Sequence, residues 1–276
     1  MAGIRRRLAV AAGMALLMVS SPAAEAKVVG HWHPLPRVTF YDGFNDRAGT
    51  APSSARWIHD TGNGTNGWGN LELQYYTAGA ANAATDGKGA LVITAKRQTA
   101  GSCWNGKPCR YTSARILTKT KLTQKYGHIE ARIKFNVPSW PAGGYWPAFW
   151  ALGDDFGVVR WPENGEMDIM ENFGYPVVSS ALHAPGYDRG NTYSLDRGSR
   201  NGWHVYGMDW THDKVTFTVD GRPYATQTRR QVGKAWRFDH PFFLILNVAV
   251  SGTAVPSASS SRWPMSMSVD YVKATT

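Results

Sequence analysis

The sequence predicts an all-β protein of the sandwich or barrel type, and three observations support this class. Short alternating or β-branched runs recur along the chain. Turn dipeptides separate many of them, among them Asp86-Gly87, Asn105-Gly106, Asn164-Gly165 and Asp220-Gly221. No long stretch repeats its apolar residues with the 3.6-residue period of a helix. Many short strands in roughly 250 residues are typical of a β-sandwich or a β-barrel.

The predicted strands follow one another from residue 91 to residue 272. They cover residues 91–96, 113–118, 128–135, 166–170, 205–210, 214–220, 242–250 and 266–272. The run Val-Thr-Phe-Thr-Val at 215–219, followed by Asp220-Gly221, predicts one arm of a β-hairpin. No linker divides residues 27–276, so we expect one domain there.

The first 26 residues resemble a secretory signal peptide rather than part of the fold. Arg5, Arg6 and Arg7 form a positive stretch, and residues 8–19 form an apolar stretch that is too short to span a bilayer. Residues 24–26, Ala-Glu-Ala, form a cleavage site that would make Lys27 the mature N-terminus. A short membrane anchor is the alternative. We expect a secreted, extracellular protein with no membrane partner.

Composition and charge argue against two further classes, disordered chains and nucleic-acid-binding proteins. Hydrophobic residues make up 43 % of the 276 residues and charged residues 18 %, which excludes a disordered chain. The formal net charge is +10, but lysines and arginines are scattered without a block of five or more. This pattern favours a solubilising surface over a nucleic-acid site, so no nucleic-acid partner is expected.

Two cysteines, Cys103 and Cys109, flank the turn dipeptide Asn105-Gly106. In an exported protein they can form a disulfide that closes a short β-loop. A zinc site is the alternative, but it would need further cysteines or histidines close in sequence, and none lies there.

The segment Glu166–Glu171 concentrates three carboxylates in one predicted strand. Side chains alternate along a strand, so Glu166 and Asp168 share one face, whereas strict alternation would turn Glu171 toward the core. A β-bulge at Ile169 and Met170 shifts the alternation by one residue and returns Glu171 to the acidic face.

Three carboxylates on one face repel each other, and three explanations compete. The strand could expose its acids to solvent without function. The acids could hold a divalent cation such as Ca²⁺ or Mg²⁺. The two glutamates could also form the carboxyl pair of a glycosidase, with Asp168 controlling the protonation of one of them.

Tryptophans near this strand favour sugar chemistry. Trp146 and Trp150 are four residues apart and share a face in an extended segment, and Trp161 follows. Indole rings stack on the apolar C–H faces of pyranose rings. A purely structural role is the alternative for any single tryptophan, but the chain has 12 of them.

The segment 161–172, Trp-Pro-Glu-Asn-Gly-Glu-Met-Asp-Ile-Met-Glu-Asn, resembles the E-[ILV]-D-x-x-E signature of glycoside hydrolase family 16, in the longer, bulged form of the laminarinase-type endo-β-1,3-glucanases. Further similar stretches are residues 69–77, 111–115, 126–132, 146–150 and 270–272. The resemblance implies a β-jelly-roll sandwich of two antiparallel sheets with a glycan-binding cleft on its concave face.

The resemblance also implies roles for single residues. Glu166 resembles the nucleophile, Glu171 the general acid/base, and Asp168 the assisting carboxylate. The residues that would line the cleft are Asn70, Arg115, Trp146, Trp150 and His183, with Trp161 and Trp210 as further candidates. Arg115 could instead be a surface charge, His183 a loop residue and Trp210 a core residue.

No cofactor is expected for catalysis, but members of the family often hold a structural Ca²⁺ on the convex side. Asp270 is placed where the side-chain ligand would be, or it is an ordinary charge at a strand end.

The resemblance implies a retaining endo-glycosidase that acts on β-1,3-glucan, and we expect a monomer with a polysaccharide as its partner. Residues 247–256 lack the tryptophan that β-1,3-glucanases of this family often carry after the late asparagine. Mixed-linkage β-1,3-1,4-glucan and β-1,3-galactan are therefore alternative substrates. A transglycosylase and a carbohydrate-binding lectin are the alternative functions.

Overall fold

Two β-sheets pack face to face around a shared hydrophobic core in the computed structural model, which describes residues 36–250 and 257–276. The all-β prediction is confirmed. The predicted signal peptide (residues 1–26) and the end of the stretch without tryptophan (residues 251–256) lie outside the described residues. Residues Pro36–Thr276 form one compact unit.

The first sheet, called the outer sheet, contains ten strands among the described residues. They are β1 (Val38–Asp42), β3 (Gln74–Tyr76), β4 (Ala83–Thr85), β5 (Leu91–Ser102), β6 (Pro108–Ser113), β8 (Gly127–Asn136), β13 (His204–Trp210), β14 (Lys214–Val219), β15 (Arg222–Thr228) and β17 (Met265–Thr275). Their order is β15-β14-β13-β8-β17-β5-β6-β3, with β1 on β17 and β4 on β5. Neighbours are antiparallel except β3 and β6, which run parallel.

The second sheet, called the cleft sheet, contains seven strands within the described ranges. They are β2 (Ile58–Asp60), β7 (Arg115–Leu117), β9 (Tyr145–Gly153), β10 (Glu166–Glu171), β11 (Val177–Ala184), β12 (Tyr187–Ser194) and β16 (Phe242–Val250). Their order is β12-β11-β10-β9-β16-β7-β2, and all neighbours are antiparallel. The acidic strand β10 therefore lies inside the sheet, between β9 and β11.

Helical structure is limited to short turns. The helix α1 spans Arg229–Val232, and single helical turns occur at Gly79–Ala81, Gly233–Ala235 and Ala258–Ser260; Gly67–Leu71 forms a tight irregular turn. In the part of the chain that the structure describes, no helix is long and apolar enough to cross a membrane.

Strand β16 forms part of the floor of the cleft. Its side chains are buried on both faces of the cleft sheet. Phe242, Leu244 and Leu246 point into the core between the sheets, whereas Phe243 and Ile245 form a second apolar cluster under Trp150. The continuous apolar sequence of β16 is thus the pattern of a strand covered on both sides.

Two predicted turns have the expected form. Asp220 and Gly221 both adopt positive φ angles, 50° and 72°, between the paired strands β14 and β15. This is the backbone that a two-residue hairpin turn requires. Cys103 and Cys109 form a disulfide across the β5–β6 hairpin, which confirms the disulfide prediction over the zinc alternative.

Candidate active site

A cleft of about 850 Å³ opens on the face of the cleft sheet that points away from the main core. Most of the residues predicted from the sequence line it: Asn70, Arg115, Trp146, Trp150, Trp161, Glu166, Asp168, Glu171 and His183. They come from β7, β9, β10 and β11 and from the loops before β3 and β10. The fold therefore gathers residues that are more than a hundred positions apart into one site.

A β-bulge in β10 brings the three acids to the cleft, as the sequence predicts. Along β9, Asp168 pairs with Trp150 and Met170 pairs with Phe149, so Ile169 is the extra residue. The pairing with β11 shifts in the same interval, between Asp168 and Glu171. Ile169 and Met170 are both buried in the core, at 1 % and 0 % exposure, so the next side chain, Glu171, points back into the cleft.

His183 connects the acids to the neighbouring strands. It pairs with Glu166 across the β10–β11 ladder, and Asp188 pairs with His183 across the β11–β12 ladder. The imidazole Nε2 lies 2.8 Å from Asp168 Oδ2, and Nδ1 lies 3.2 Å from Asp188 Oδ1. The histidine is therefore held between a buried carboxylate of the trio and an exposed one.

Glu171 is oriented by an indole. Trp146 Nε1 donates a hydrogen bond of 2.9 Å to Glu171 Oε1. The indole ring packs against Phe173, with ring centroids 5.2 Å apart. The bond occupies one carboxyl oxygen, and the other oxygen is the one that can carry a proton.

Burial raises the pKa of each member of the trio Glu166, Asp168 and Glu171. The pKa of Glu171 rises to about 8, first because the carboxyl is removed from water and second because of the charge on Asp168; the Trp146 hydrogen bond opposes this rise. The pKa of Glu166 lies well above its ordinary value for the same two reasons, with His183 opposing. Burial also raises the pKa of Asp168, while a hydrogen bond with Glu166 lowers it. Because carboxylates this close cannot all ionise, the trio retains a proton at neutral pH.

An arginine between two indoles forms another part of the cleft wall. The Arg115 guanidinium carbon lies 4.5 Å from the ring centroid of Trp68 and 4.8 Å from that of Trp150. Its Nε lies 3.0 Å from Asp60 Oδ2. The flat cation stacks on the negative ring faces, and this stacking fixes both indoles in place. Arg115 is therefore a cleft residue and not a surface charge.

A buried polar network under this wall was not predicted from the sequence. Glu72 is buried and accepts hydrogen bonds from Gln74 Nε2 at 2.5 Å and from the Tyr76 hydroxyl at 3.3 Å. Asn247 donates to the Tyr76 oxygen at 3.1 Å and accepts from Trp150 Nε1 at 2.8 Å. Removal from water raises the pKa of Glu72. The sequence feature that could have indicated this network is the period-two spacing of Glu72, Gln74 and Tyr76, which places three polar groups on one side of the chain.

Further cleft residues absent from the prediction include Trp68, Phe156, Asp188 and Asn247. Trp68 and Asn247 lie more than 70 positions from the acidic strand, and only the folded arrangement of strands and loops brings them to the cleft. Phe156 lies on the loop before β10, and Asp188 lies on β12.

Two predicted residues lie elsewhere. Trp210 belongs to β13 of the outer sheet, is 1 % exposed, and donates a hydrogen bond of 2.9 Å from Nε1 to the Phe238 carbonyl oxygen. Its assignment to substrate binding is wrong, because the alternation of β13 turns the ring into the core.

Asp270 lies on β17 of the outer sheet. Its Oδ2 forms an ion pair with Arg132, whose guanidinium also stacks on the Trp203 ring at 5.0 Å. The calcium site at Asp270 stays a prediction.

The trio can supply two complementary groups to a bond that lies above it. One glutamate can act as an anionic nucleophile, and the other can hold the proton that a leaving oxygen needs. The indoles of the cleft present flat apolar faces that suit sugar rings. Trp161, 52 % exposed and 6.1 Å from the His183 ring, extends this aromatic surface at the edge of the cleft.

Comparison with known proteins gives a consistent result. The model of the family "Glycosyl hydrolases family 16" matches residues 71–273. A beta-glucanase of Rhodothermus marinus is 34 % identical over 241 residues, which cover 80 % of this chain and 79 % of that protein. The glucan endo-1,3-beta-glucosidase A1 of Niallia circulans is 34 % identical over 263 residues; the match covers 84 % of this chain and 36 % of that longer protein.

A solved structure agrees with these sequence matches. The laminarinase catalytic domain from Thermotoga maritima superposes with a TM-score of 0.79 at 35 % identity, over 87 % of this chain and 98 % of that one.

Proposed function

The chain belongs to glycosyl hydrolases family 16, and from that premise we propose that it cleaves internal β-1,3-glucosidic bonds of β-glucans with retention of configuration. The observation that carries the proposal is the β10 bulge, which sets Glu166 and Glu171 on one face of the cleft with Asp168 between them. The linkage is supported by the names of the relatives, which include a glucan endo-1,3-beta-glucosidase and a laminarinase.

In the first step, the carboxylate of Glu166 attacks the anomeric carbon from the side opposite the glycosidic oxygen. Glu171 transfers its proton to that oxygen as the bond breaks, and a covalent glycosyl-enzyme forms. The hydrogen bond from Trp146 holds Glu171 by Oε1, so the proton is delivered from the other oxygen. Asp168 controls the charge of the trio through its hydrogen bond with Glu166 and its contact with His183.

In the second step, Glu171 acts as a base. Formation of the ester neutralises Glu166, which removes one negative charge from the trio and lowers the pKa of Glu171. Glu171 then accepts a proton from water, the water oxygen attacks the anomeric carbon, and the bond to Glu166 breaks. Two inversions restore the β configuration.

The cleft supports action on a chain rather than on a single sugar. Its lining includes Trp68 beside Arg115 of β7 and Trp161 beside His183 of β11, and the trio on β10 lies between these two strands. A volume of about 850 Å³ is enough for several pyranose rings. The aromatic residues along it provide successive stacking surfaces, which is the arrangement expected of an endo-acting enzyme.

We also propose that the protein is secreted and acts as a monomer. The proposal of secretion rests on the charged, apolar and small-residue regions of residues 1–26. N-terminal sequencing of protein recovered from the culture medium should begin at Lys27, and light scattering should give the mass of one chain. An N-terminus at Met1, or recovery only in the membrane fraction, would contradict the cleavage.

Incubation with laminarin tests the activity. We expect short β-1,3-linked oligosaccharides, with the β-anomer formed first when proton NMR is recorded before mutarotation. Lichenan and a β-1,3-galactan serve as comparison substrates, and faster cleavage of either would reject the β-1,3-glucan assignment. Elongated chains would identify a transglycosylase, and binding without products would identify a lectin.

A further inference from the structure

Glu166, Asp168 and His183 form a cluster in which one potential metal-ligand atom of each residue lies within 4.8 Å of the others. We propose that this cluster binds a divalent transition metal of the Zn²⁺ type, and that the bound metal reversibly inhibits the enzyme. The binding part is independent of the proposed function, whereas the inhibition part rests on it.

The distances fit a zinc centre after small side-chain rotations. Zinc binds imidazole nitrogen and carboxylate oxygen at about 2.0–2.2 Å, so neighbouring ligand atoms of a tetrahedral site are about 3.3 Å apart. His183 Nε2 and Asp168 Oδ2 are already 2.8 Å apart. With Glu166 as the third ligand, the fourth position remains open toward the cleft.

Asp168 Oδ2 is a buried oxygen that faces the cluster and accepts no hydrogen bond. Asp168 is 3 % exposed, and Oδ2 has an ion-pair contact of 2.8 Å with His183 Nε2. A buried carboxylate oxygen that accepts no hydrogen bond destabilises the site. A cation between this oxygen and the imidazole nitrogen would supply the contact that Oδ2 lacks.

Asp188 supplies the support that metal-binding histidines commonly have. Its Oδ1 lies 3.2 Å from His183 Nδ1, on the side of the ring away from the trio. A carboxylate in this position favours the proton on Nδ1 and leaves the lone pair of Nε2 directed at the metal position. His183 Nδ1 has no aligned hydrogen bond, so a rotation of the exposed Asp188 side chain would complete the carboxylate–histidine–zinc arrangement.

The ligand set decides the class of metal. One imidazole and two carboxylates suit Zn²⁺ or Cu²⁺, whereas Ca²⁺ takes six to eight oxygen ligands and Mg²⁺ retains most of its water. A metal in this position would hold the Glu166 oxygen that attacks the sugar. Metal and substrate would therefore exclude each other, and the inhibition should be competitive.

Calorimetric titration of untagged, metal-free protein with ZnCl₂ tests the binding. We expect a Zn²⁺ site in the wild type that His183→Gln abolishes and that Asp188→Asn weakens roughly 10–100-fold through loss of the supporting carboxylate. His212→Gln is the matched control, because His212 is an exposed histidine paired with Asp213 outside the cleft. CoCl₂ should give visible absorption bands of a low-coordinate site in the wild type, and these should be absent in His183→Gln.

Circular dichroism establishes that each variant is folded before titration. If folded His183→Gln and Asp188→Asn both bind Zn²⁺ as tightly as the wild type, or if CaCl₂ binds as tightly as ZnCl₂, the site is rejected. On laminarin, ZnCl₂ should raise KM without lowering kcat, and EDTA should reverse the effect. Zn²⁺ binding in a protein that cleaves no glucan would overturn the proposed function alone; tight binding without inhibition would overturn the inhibition.

Discussion

The indole nitrogen of Trp146 on β9 lies 2.9 Å from Oε1 of Glu171 on β10 and donates a hydrogen bond to it. The two residues belong to neighbouring strands, so the sheet itself fixes their relative position. The bond stabilises the ionised form of Glu171 and partly opposes the rise in its pKa that burial causes. Trp146 thus positions the proposed proton donor in addition to offering a ring to the substrate.

Trp146→Phe should move the alkaline limb of the kcat/KM profile to higher pH. The substitution keeps an aromatic ring but removes the N–H that lowers the pKa of Glu171, so the carboxyl keeps its proton to higher pH. The measurement is the pH dependence of laminarin hydrolysis. Trp150→Phe is the control, because the Trp150 indole donates to Asn247 and not to the trio. A limb that stays in place in Trp146→Phe, or moves equally in both variants, would contradict the assignment.

Chemical rescue should separate the roles of the two glutamates. Glu166→Ala and Glu171→Ala should each lose about 10²–10⁴-fold or more in kcat on laminarin, since each removes one half of the mechanism. On an activated aryl β-glycoside, azide can replace the missing group. Glu171→Ala should yield the β-glycosyl azide, because azide attacks the glycosyl-enzyme. Glu166→Ala should yield the α-azide, because azide attacks in place of the nucleophile. Products of the opposite anomeric form would exchange the two roles.

The raised pKa of Glu171 should make the stability of the fold depend on pH. In the unfolded chain this carboxyl ionises near its ordinary value of 4.5, whereas in the fold it does so at about 8. Between these values the folded protein binds the extra proton, so the stabilising contribution present below pH 4.5 is lost as the pH rises to 8. Glu171→Gln removes the cost of the buried charge. The Tm of this variant relative to the wild type should therefore be higher at pH 9 than at pH 4.

The matched control for this prediction is Glu163→Gln, which removes the same charge from an exposed position close in sequence. Its Tm difference from the wild type should change little between the two pH values. Equal behaviour of the two variants would show that Glu171 titrates as a solvated carboxyl.

The bulge in the acidic strand could be predicted, because strict alternation would turn one of the three acids toward the core and one extra residue prevents this. Three acids in the spacing of Glu166, Asp168 and Glu171 fit one face only if the strand contains an extra residue. The structure has that residue at Ile169, opposite no partner on β9. The hairpin at Asp220-Gly221 could be predicted for a similar reason, since few sequences accept two successive positive φ angles.

Residues whose role depends on distant partners could not be predicted. Glu72 accepts a hydrogen bond from the Tyr76 hydroxyl, which in turn accepts one from Asn247, 171 positions away in the sequence. Trp210 is a different case, because the alternation of its own strand, with Tyr206 and Met208 buried on the same face and Asp209 exposed, indicates a core position. His183 was predicted for the cleft, but its contact with Asp188 depends on the register of β11 and β12.

Trp210→Phe should reduce stability and leave catalysis intact. The substitution removes the hydrogen bond to the buried Phe238 carbonyl and leaves a cavity in the core, which together cost about 1–4 kcal/mol. Urea denaturation measures this loss, and kcat and KM per folded molecule should match the wild type. Trp161→Phe is the contrasting variant, with an exposed ring at the cleft, and should raise KM with little change in stability. A raised KM in Trp210→Phe would return this residue to the substrate-binding set.

Deletion of Met170 should remove the bulge and leave Glu171 in the cleft. The residues that remain, Glu166-Met167-Asp168-Ile169-Glu171, alternate regularly, so the three acids stay on one face, and Ile169 takes the position opposite Phe149 on β9 that Met170 has in the wild type. The variant should keep activity with wild-type anomeric products and lose stability, because a buried methionine is removed from the core. Deletion of Met167 is the contrasting variant: it puts Glu166 directly before Asp168, regular alternation then turns Glu166 toward the core, and activity should fall about 10²–10⁴-fold. Circular dichroism establishes that both variants are folded. An inactive but folded Met170 deletion would show that the bulge itself, and not only the face of Glu171, positions the proton donor.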